Sequence, residues 1–383
     1  MITFLFWGSL LLLFYIYIGY PILVRLLSAK QKPVAKDEGY LPKISILIAA
    51  YNEEKDIEHT IRNKIALDYP RELMEILVVS DESTDRTDAL VEALASEAPF
   101  PIRLIRQTPR QGKTAGLNLI APLASGEILV FSDANSLYEP DALRKLVRNF
   151  ADPEVGYVTG KMIYANPDGS VVGDGCSAYM RYENWLREKE TRIGSVVGVD
   201  GGIDAIRARL FKQLNADQLP DFVQPLKVNE QGYRVIYEPE AVLKELALDD
   251  SGREFRMRVR VSLRALWALH DMKQLLNPFH YGLFAVQLIS HKLLRYLAFI
   301  PLLWLAFTNL LLLEEGGIYT LFFFGQVAFY LLAWLGRRYD DEKNRPFYLT
   351  LPYYFCLLNL ASAHAAWRYV RGEKQVIWAP RVG

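Results

Sequence analysis

The sequence predicts an α/β domain, a mostly parallel sheet with flanking helices, joined to transmembrane α-helices. Two observations lead there. Between residues 44 and 132, β-branched apolar runs alternate with helix-spaced segments, and membrane-length apolar stretches bracket the polar middle of the chain. Strand–helix alternation with short links implies parallel pairing and helices on both sheet faces. A membrane span needs roughly 20 apolar residues to cross about 30 Å of hydrocarbon.

The first such stretch, residues 4–27, reads FLFWGSLLLLFYIYIGYPILVRLL and is uncharged until Arg25. No basic residue precedes it and no small-x-small site follows, which fits a retained anchor better than a cleaved signal peptide. Arg25, Lys30 and Lys32 follow it, so the positive-inside rule places the next domain in the cytoplasm. Three further segments come late: residues 293–313, 318–336 and 347–370. Glu314 and Glu315 suit the outer face, and the basic 337–345 loop suits the cytoplasm. A last crossing by 347–370 would put Arg371, Lys374 and Arg381 outside, and Ser362 and His364 make it less apolar. We expect it to cross all the same, which gives two or three C-terminal spans. The expected organisation is an anchor (1–28), a cytoplasmic domain (29–250), amphipathic interfacial helices (251–292) and a C-terminal membrane region (293–383), with a bacterial inner membrane as the setting.

Within the middle, Ile44–Ala50 (ISILIAA) has the continuous apolar character of a strand buried on both faces. Ile57, Ile61 and Ile65 then recur at helical spacing. Met74–Ser80 and Ile102–Arg106 read as strands and 84–95 and 112–123 as helices, with 127–132 as a fourth strand. Ligands of such sheets gather at the carboxyl ends of the strands. Asn52, Asp81, Lys113 and Asp133 all stand just beyond a strand.

The 383 residues carry 44 Lys+Arg and 44 Asp+Glu, a balance without the basic excess of a nucleic-acid binder. At 51% hydrophobic the chain is not disordered. Cys176 and Cys356 are far apart and form no metal-binding pattern.

The runs ISILIAAYNEE (44–54), ILVVSDESTDRT (76–87), GKTAGLN (112–118), VFSDAN (130–135), GGIDAIRARLF (201–211), LPDFVQPLKV (219–228) and GYRVIYEPEA (232–241) occur in an order that resembles the family-2 glycosyltransferases of GT-A fold. With spans on both sides, the chain is similar to the membrane-integrated branch that builds polysaccharides. The resemblance covers about residues 43–269. It implies an inverting, metal-dependent transfer of a sugar from a UDP-sugar to a lipid-linked or glycan acceptor at the cytoplasmic face.

Carried over position by position, the resemblance assigns Ala49, Tyr51, Glu53, Asp81, Lys113 and Asp133 to the nucleotide-sugar, with Asp81 accepting from the uracil ring. Asp133 and Asn135 would hold Mg²⁺ or Mn²⁺. Alternation along a strand points these two the same way, and a carboxylate with an amide oxygen is a partial shell for such ions. The family has a second Asp at position 135; an Asx turn is the plain alternative. Asp221 matches the catalytic base, with a helix N-cap as the bland reading. Asp85 and Glu53 could equally serve helix starts. Gly201, Gly202 and Arg207 match the acceptor side.

Where processive members carry Q-x-x-R-W, this chain has Met257, Arg258, Val259, Arg260 and Val261. Arg260 survives as a candidate diphosphate ligand, and the missing Trp argues against long processive synthesis. The surrounding stretch also reads as an interfacial helix with Phe255, Val259, Leu263, Leu266 and Trp267 facing acyl chains. Remaining alternatives are transfer to a polyprenyl phosphate, a synthase that also translocates its glycan, and an inactive nucleotide-sugar sensor. A homo-oligomer is left open. Polar residues of the late segments (Gln287, His291, Asn309, Gln326, Asn359, His364) would line a conduit or, more simply, bond between helices.

Overall fold

The computed structural model describes residues 1–165, 175–246, 251–339 and 345–375; Cys176 keeps its backbone in that range, and Arg381 lies outside it. The chain forms two compact units. One comprises Met1–Leu27, Val172–Leu186 and Leu248–Lys374, and the other Ser28–Val171, Arg187–Ala247 and Gln375–Gly383.

The second unit is built on an eight-stranded sheet. Its strands are β1 (Ile44–Ala50), β2 (Met74–Ser80), β3 (Ile102–Arg106), β4 (Ile128–Asp133), β5 (Leu137–Tyr138), β6 (Val155–Ala165), β7 (Asp204–Arg207) and β8 (Arg234–Leu246). They lie in the order β3-β2-β1-β4-β7-β6-β8-β5. The four strands expected from the alternation pair in parallel. Beyond β4 the sheet turns mixed, because β7 runs antiparallel to both β4 and β6.

β1 is buried along its whole length. Ile44, Ile46, Ile48 and Ala50 enter one core with Ile57 and Ile61, while Leu47 and Ala49 enter the other with Leu117 and Ile120. A run without polar alternation has this meaning: both faces are covered. Ser45, the polar exception, donates to Glu75 Oε1 at 2.5 Å. The registers Ala49↔Val79 and Ala49↔Asp133 bring the ends of β2, β1 and β4 to one rim.

The helices Ile57–Ile65 and Thr87–Glu97 start after loops fixed by side chains. Asn52 sits at φ 54°, and its Oδ1 accepts from Thr84 N at 2.8 Å. Asp85 accepts from Thr87 N and Glu54 N at 2.9 and 3.0 Å, the local structural role foreseen for it.

In the first unit, Ile2–Leu27 (mean hydropathy 2.0) and Ile318–Arg338 (1.7) are long and apolar enough to cross a membrane. The expected straight span at 293–313 is instead a pair, Pro278–Tyr296 and Phe299–Leu311, bent by 58°. Phe347–Val370 is a helix, but among the described residues it is not one that qualifies as a span by length and composition. Ser362, His364 and Arg368 lower its apolarity.

The apolar face of Ser251–Asp271 is also not left to lipid. Val259, Leu263 and Leu266 pack on Ala361 and Ala365 of Phe347–Val370, with Phe255 and Trp267 beside them. Asn309 and Gln326 bond to each other at 2.7 Å and Asn359 bonds to Tyr17 at 3.3 Å, so these polar side chains link helices.

Candidate active site

The rim formed by β1, β2 and β4 gathers most of the expected residues. Lys113 opens the helix Lys113–Ile120. Its Nζ donates to Asp133 Oδ1 at 2.6 Å and lies 3.5 Å from Asp221 Oδ1. One ammonium thus ties the end of β4 to the helix Pro220–Glu230. Partial burial alone would lower the pKa of Lys113; the charges of Asp133 and Asp221 outweigh it and raise it, keeping the group cationic.

Asp221 is not the N-cap of its helix. Leu219 occupies that position and Pro220 the first turn, so the Asp221 carboxylate is turned to Lys113 instead. Gly201 and Gly202 close the site from the other side, both at positive φ (77° and 76°). A Cβ on Gly201 would lie 2.8 Å from Asp221 Oδ2, and one on Gly202 would lie 3.6 Å from Asp133 Oδ2. Only glycine combines that backbone with that proximity.

Asp133 and Asn135 offer one carboxylate and one amide, the latter's Nδ2 donating to Glu245 at 3.3 Å. Among the described residues no group of three or more His, Cys, Asp or Glu could hold a metal. One carboxylate and one amide are too few to cage an ion by themselves.

Asp81 stands just past the end of β2. It is 1% exposed and accepts from Gln107 Nε2 at 2.5 Å, Gln111 N at 2.9 Å, Gly112 N at 3.0 Å and Arg110 Nε at 3.3 Å. A buried carboxylate must be hydrogen-bonded, and here the 107–112 loop supplies the donors. Gly112, at φ 92°, hands the chain on to Lys113, so Asp81 positions the lysine. Arg110 meanwhile lies 3.4 Å from the centroid of the Tyr51 ring. Ala49 is buried at the end of β1, and Glu53 N donates to Thr87 Oγ1 at 2.9 Å.

Arg207 is a correction to the acceptor-side assignment. It pairs with Ile128 at the opposite end of β4 from Asp133. Its guanidinium donates to the carbonyls of Val155, Phe150 and Asp152 at 2.7, 2.7 and 2.9 Å. Antiparallel β7 brings its preceding residues to the rim and carries its last residue away. Arg260 lies on Ser251–Asp271, in the helical unit.

Residues that the sequence reading missed support the rim from below. Thr60 Oγ1, Asn63 Nδ2 and Lys64 Nζ of the Ile57–Ile65 helix donate to the carbonyls of Ala134, Tyr138 and Ser136 at 2.6, 3.0 and 2.6 Å. Lys64 is fully buried and lies 3.7 Å over the Tyr138 ring; burial lowers its pKa against the pull of Asp133. The Tyr138 hydroxyl donates to Phe131 O or Gly202 O, at 2.9 and 2.7 Å. Asp204 is 1% exposed, and burial pushes its carboxyl up to about 8, reinforced by Asp221 and Asp200. The sequence signal was the polar set Thr60, Asn63 and Lys64 on one helix turn, overshadowed by the isoleucine spacing.

Strand ends carrying a cation clamped between two carboxylates, beside a glycine pair, sit here on a GT-A fold. The profile described as Glycosyl transferase family 2 matches residues 45–213, so that stretch is a family-2 glycosyltransferase segment. It is 31% identical over 172 residues to a beta-monoglucosyldiacylglycerol synthase of Nostoc sp., covering 44% of this chain and 36% of that protein. It is 28% identical over 258 residues to a poly-beta-1,6-N-acetyl-D-glucosamine synthase of Staphylococcus aureus, covering 66% of this chain and 60% of that one. The matches therefore span from about a third to three-fifths of these relatives' lengths. The structure of a mannosyltransferase from Pyrobaculum calidifontis, in complex with GDP-Man and Mn²⁺, superposes with a TM-score of 0.77 at 22% identity, covering 97% of this chain and 100% of that one. That likeness is one of fold.

Proposed function

We propose that this chain is a membrane-anchored inverting glycosyltransferase that moves a sugar from a nucleoside-diphosphate sugar, UDP-linked on the sequence reading, to a lipid-linked or glycan hydroxyl at the cytoplasmic face of a bacterial inner membrane. The observation that carries it is the Lys113 ammonium held between Asp133 and Asp221. Charge grows on the diphosphate as the bond to the sugar breaks, and a pre-placed cation stabilises it. Lys113 supplies that charge from the sheet side. Asp221 accepts the proton of the attacking hydroxyl, and the glycine pair lets that hydroxyl reach the sugar from the face opposite the diphosphate. Asp133 and Asn135, with donor phosphates, would hold Mg²⁺ or Mn²⁺, which neutralises the leaving group when bound. Tyr51 offers a ring face for the base, and the Asp81 loop sets the position of Lys113. The glycolipid- and polysaccharide-forming relatives support the acceptor class, and the Mn²⁺ in the mannosyltransferase complex supports the ion.

The test is nucleoside diphosphate release by the purified chain with UDP- and GDP-sugars, with and without Mn²⁺, and with a lipid extract as acceptor. Turnover in the wild type and its loss in Asp221→Asn are expected. Full turnover of Asp221→Asn, or equal rates in excess EDTA, refutes the base or the metal assignment respectively.

A further inference from the structure

Two loops of the rim fix Arg110, which lies in a third. Its backbone N–H donates to Glu82 Oε2 at 2.9 Å and its Nε to Asp81 Oδ2 at 3.3 Å, both just past β2. Its guanidinium carbon lies 3.4 Å from the centroid of the Tyr51 ring, just past β1, which is stacking contact. The side chain is 20% exposed, so the stack stands at the surface of the rim and is not sealed within it. A guanidinium is planar, weakly hydrated and suited to aromatic faces. Its plane has two sides, and Tyr51 covers one.

Asp81, which the resemblance sets against the uracil ring, is filled from within the chain. Its Oδ1 accepts from Gln107 Nε2 at 2.5 Å and Gln111 N at 2.9 Å. Its Oδ2 accepts from Gly112 N at 3.0 Å and Arg110 Nε at 3.3 Å. An ionised carboxylate has about four lone-pair sites, and four donors take them. An imide N–H arriving at Asp81 finds no acceptor. Making room for it would strip a donor from a buried carboxylate, which is costly, and would loosen Gly112 and with it Lys113. The base needs another hold, and the Arg110–Tyr51 stack stands beside it.

We propose that Arg110 selects the base of the donor: the base stacks on the outer side of its guanidinium, with Tyr51 behind, and is read by its ring face and not by its imide edge. Stacking tolerates any base because every base has a π-face, and arginine planes are known platforms for unpaired bases. The donor class is then not confined to uridine, and the larger purine ring is held no less firmly than a pyrimidine. The inference deepens the donor part of the proposed function and rests on it, so it is tested by binding in the absence of acceptor.

The full chain in detergent, with excess Mn²⁺, is titrated with UDP, CDP, GDP, ADP and pyrophosphate by isothermal calorimetry. UDP and CDP differ at the edge that Asp81 would read, and should bind within about fivefold of each other; GDP and ADP should bind no more than about fivefold weaker than UDP. A site built to hydrogen-bond a group rejects the analogue lacking it far more strongly. A larger preference for UDP over CDP or over either purine therefore overturns the proposal. Arg110→Ala should weaken all four nucleotides about tenfold and leave pyrophosphate binding as in the wild type. An equal loss for pyrophosphate makes Arg110 a phosphate ligand and overturns it. Arg110→Lys keeps the charge without the plane and should stay weak; full recovery overturns the stacking role. Tyr51→Leu removes the ring behind the guanidinium without touching Asp81, and covers the case in which Arg110→Ala does not fold. It should weaken all four nucleotides as well, and unchanged binding overturns the proposal. Binding of all four with UDP singled out fails this proposal alone, whereas binding of none fails the proposed function with it.

Discussion

Replacing Lys113 with methionine removes a group that touches both carboxylates of the proposed site, at 2.6 and 3.5 Å. Opposite charges about 4 Å apart interact by about 4 kcal/mol at an effective dielectric near 20. The side chains of Lys113, Asp133 and Asp221 are 22%, 35% and 27% exposed, so solvent screens much of that. On the ground state the net loss should be nearer about 1 kcal/mol per pair. The transition state loses more, because the departing diphosphate gains charge where the ammonium stood. Removing one pre-placed electrostatic partner typically lowers kcat by about 10²–10³. The assay is kcat for nucleoside diphosphate release, corrected for folded fraction by thermal unfolding of the same preparation, with Lys113→Arg as the charge-conserving control. Lys113→Met should fall by that factor with only a modest loss of stability, and Lys113→Arg should recover part of it. A folded Lys113→Met enzyme within about threefold of wild type, under 1 kcal/mol in barrier, would refute the role assigned to the lysine.

Asp204→Asn should change the pH dependence of stability. Its carboxyl is raised from 3.8 to about 8, so its contribution is complete below pH 3.8 and is lost as the pH rises through about 8. The Asn variant should gain on wild type across that window in a thermal-shift series, and parallel profiles would count against the buried acid. Gly201→Ala forces a Cβ to 2.8 Å from Asp221 at φ 77°; a stability loss of about 1–3 kcal/mol and a larger fall in kcat are expected, by denaturation and initial rates. Arg207→Ala removes the donors to three carbonyls. It should cost about 2–3 kcal/mol and leave kcat per folded molecule unchanged, whereas a selective loss of kcat would restore the acceptor-side reading. Lys64→Met leaves the Ser136 carbonyl without its 2.6 Å donor and should destabilise the domain by about 1–3 kcal/mol in urea titration.

The four parallel strands were legible because continuous β-branched runs have one reading when both faces are covered. β7 was not, since four residues inside GGIDAIRARLF carry no period. Missing that strand also misplaced Arg207, whose end of the sheet depends on strand direction. The order of motifs singled out Lys113, Asp133 and Asp221 as candidates. Their convergence on a single ammonium needed coordinates, because three chain segments meet there. Asp81 stands just past β2, where the sequence puts it, but its partners lie in a loop whose conformation no propensity encodes. The 58° bend interrupts a segment whose composition alone looks like one straight span. Lys64 is visible in sequence only as part of the polar set with Thr60 and Asn63; its burial follows from what packs around it, since a lysine is ordinarily exposed.

The reversal of direction at β7 makes the two sides of the rim separately adjustable. Residues near Asp133 arrive where strands leave the sheet, whereas Gly201 and Gly202 arrive where a strand enters it. On the proposed function, lengthening or rewriting the chain ahead of β7 would remodel what greets the incoming hydroxyl without moving the cradle for the departing group. A scaffold wired in this way would, on that reading, exchange one acceptor for another while its donor chemistry stays fixed.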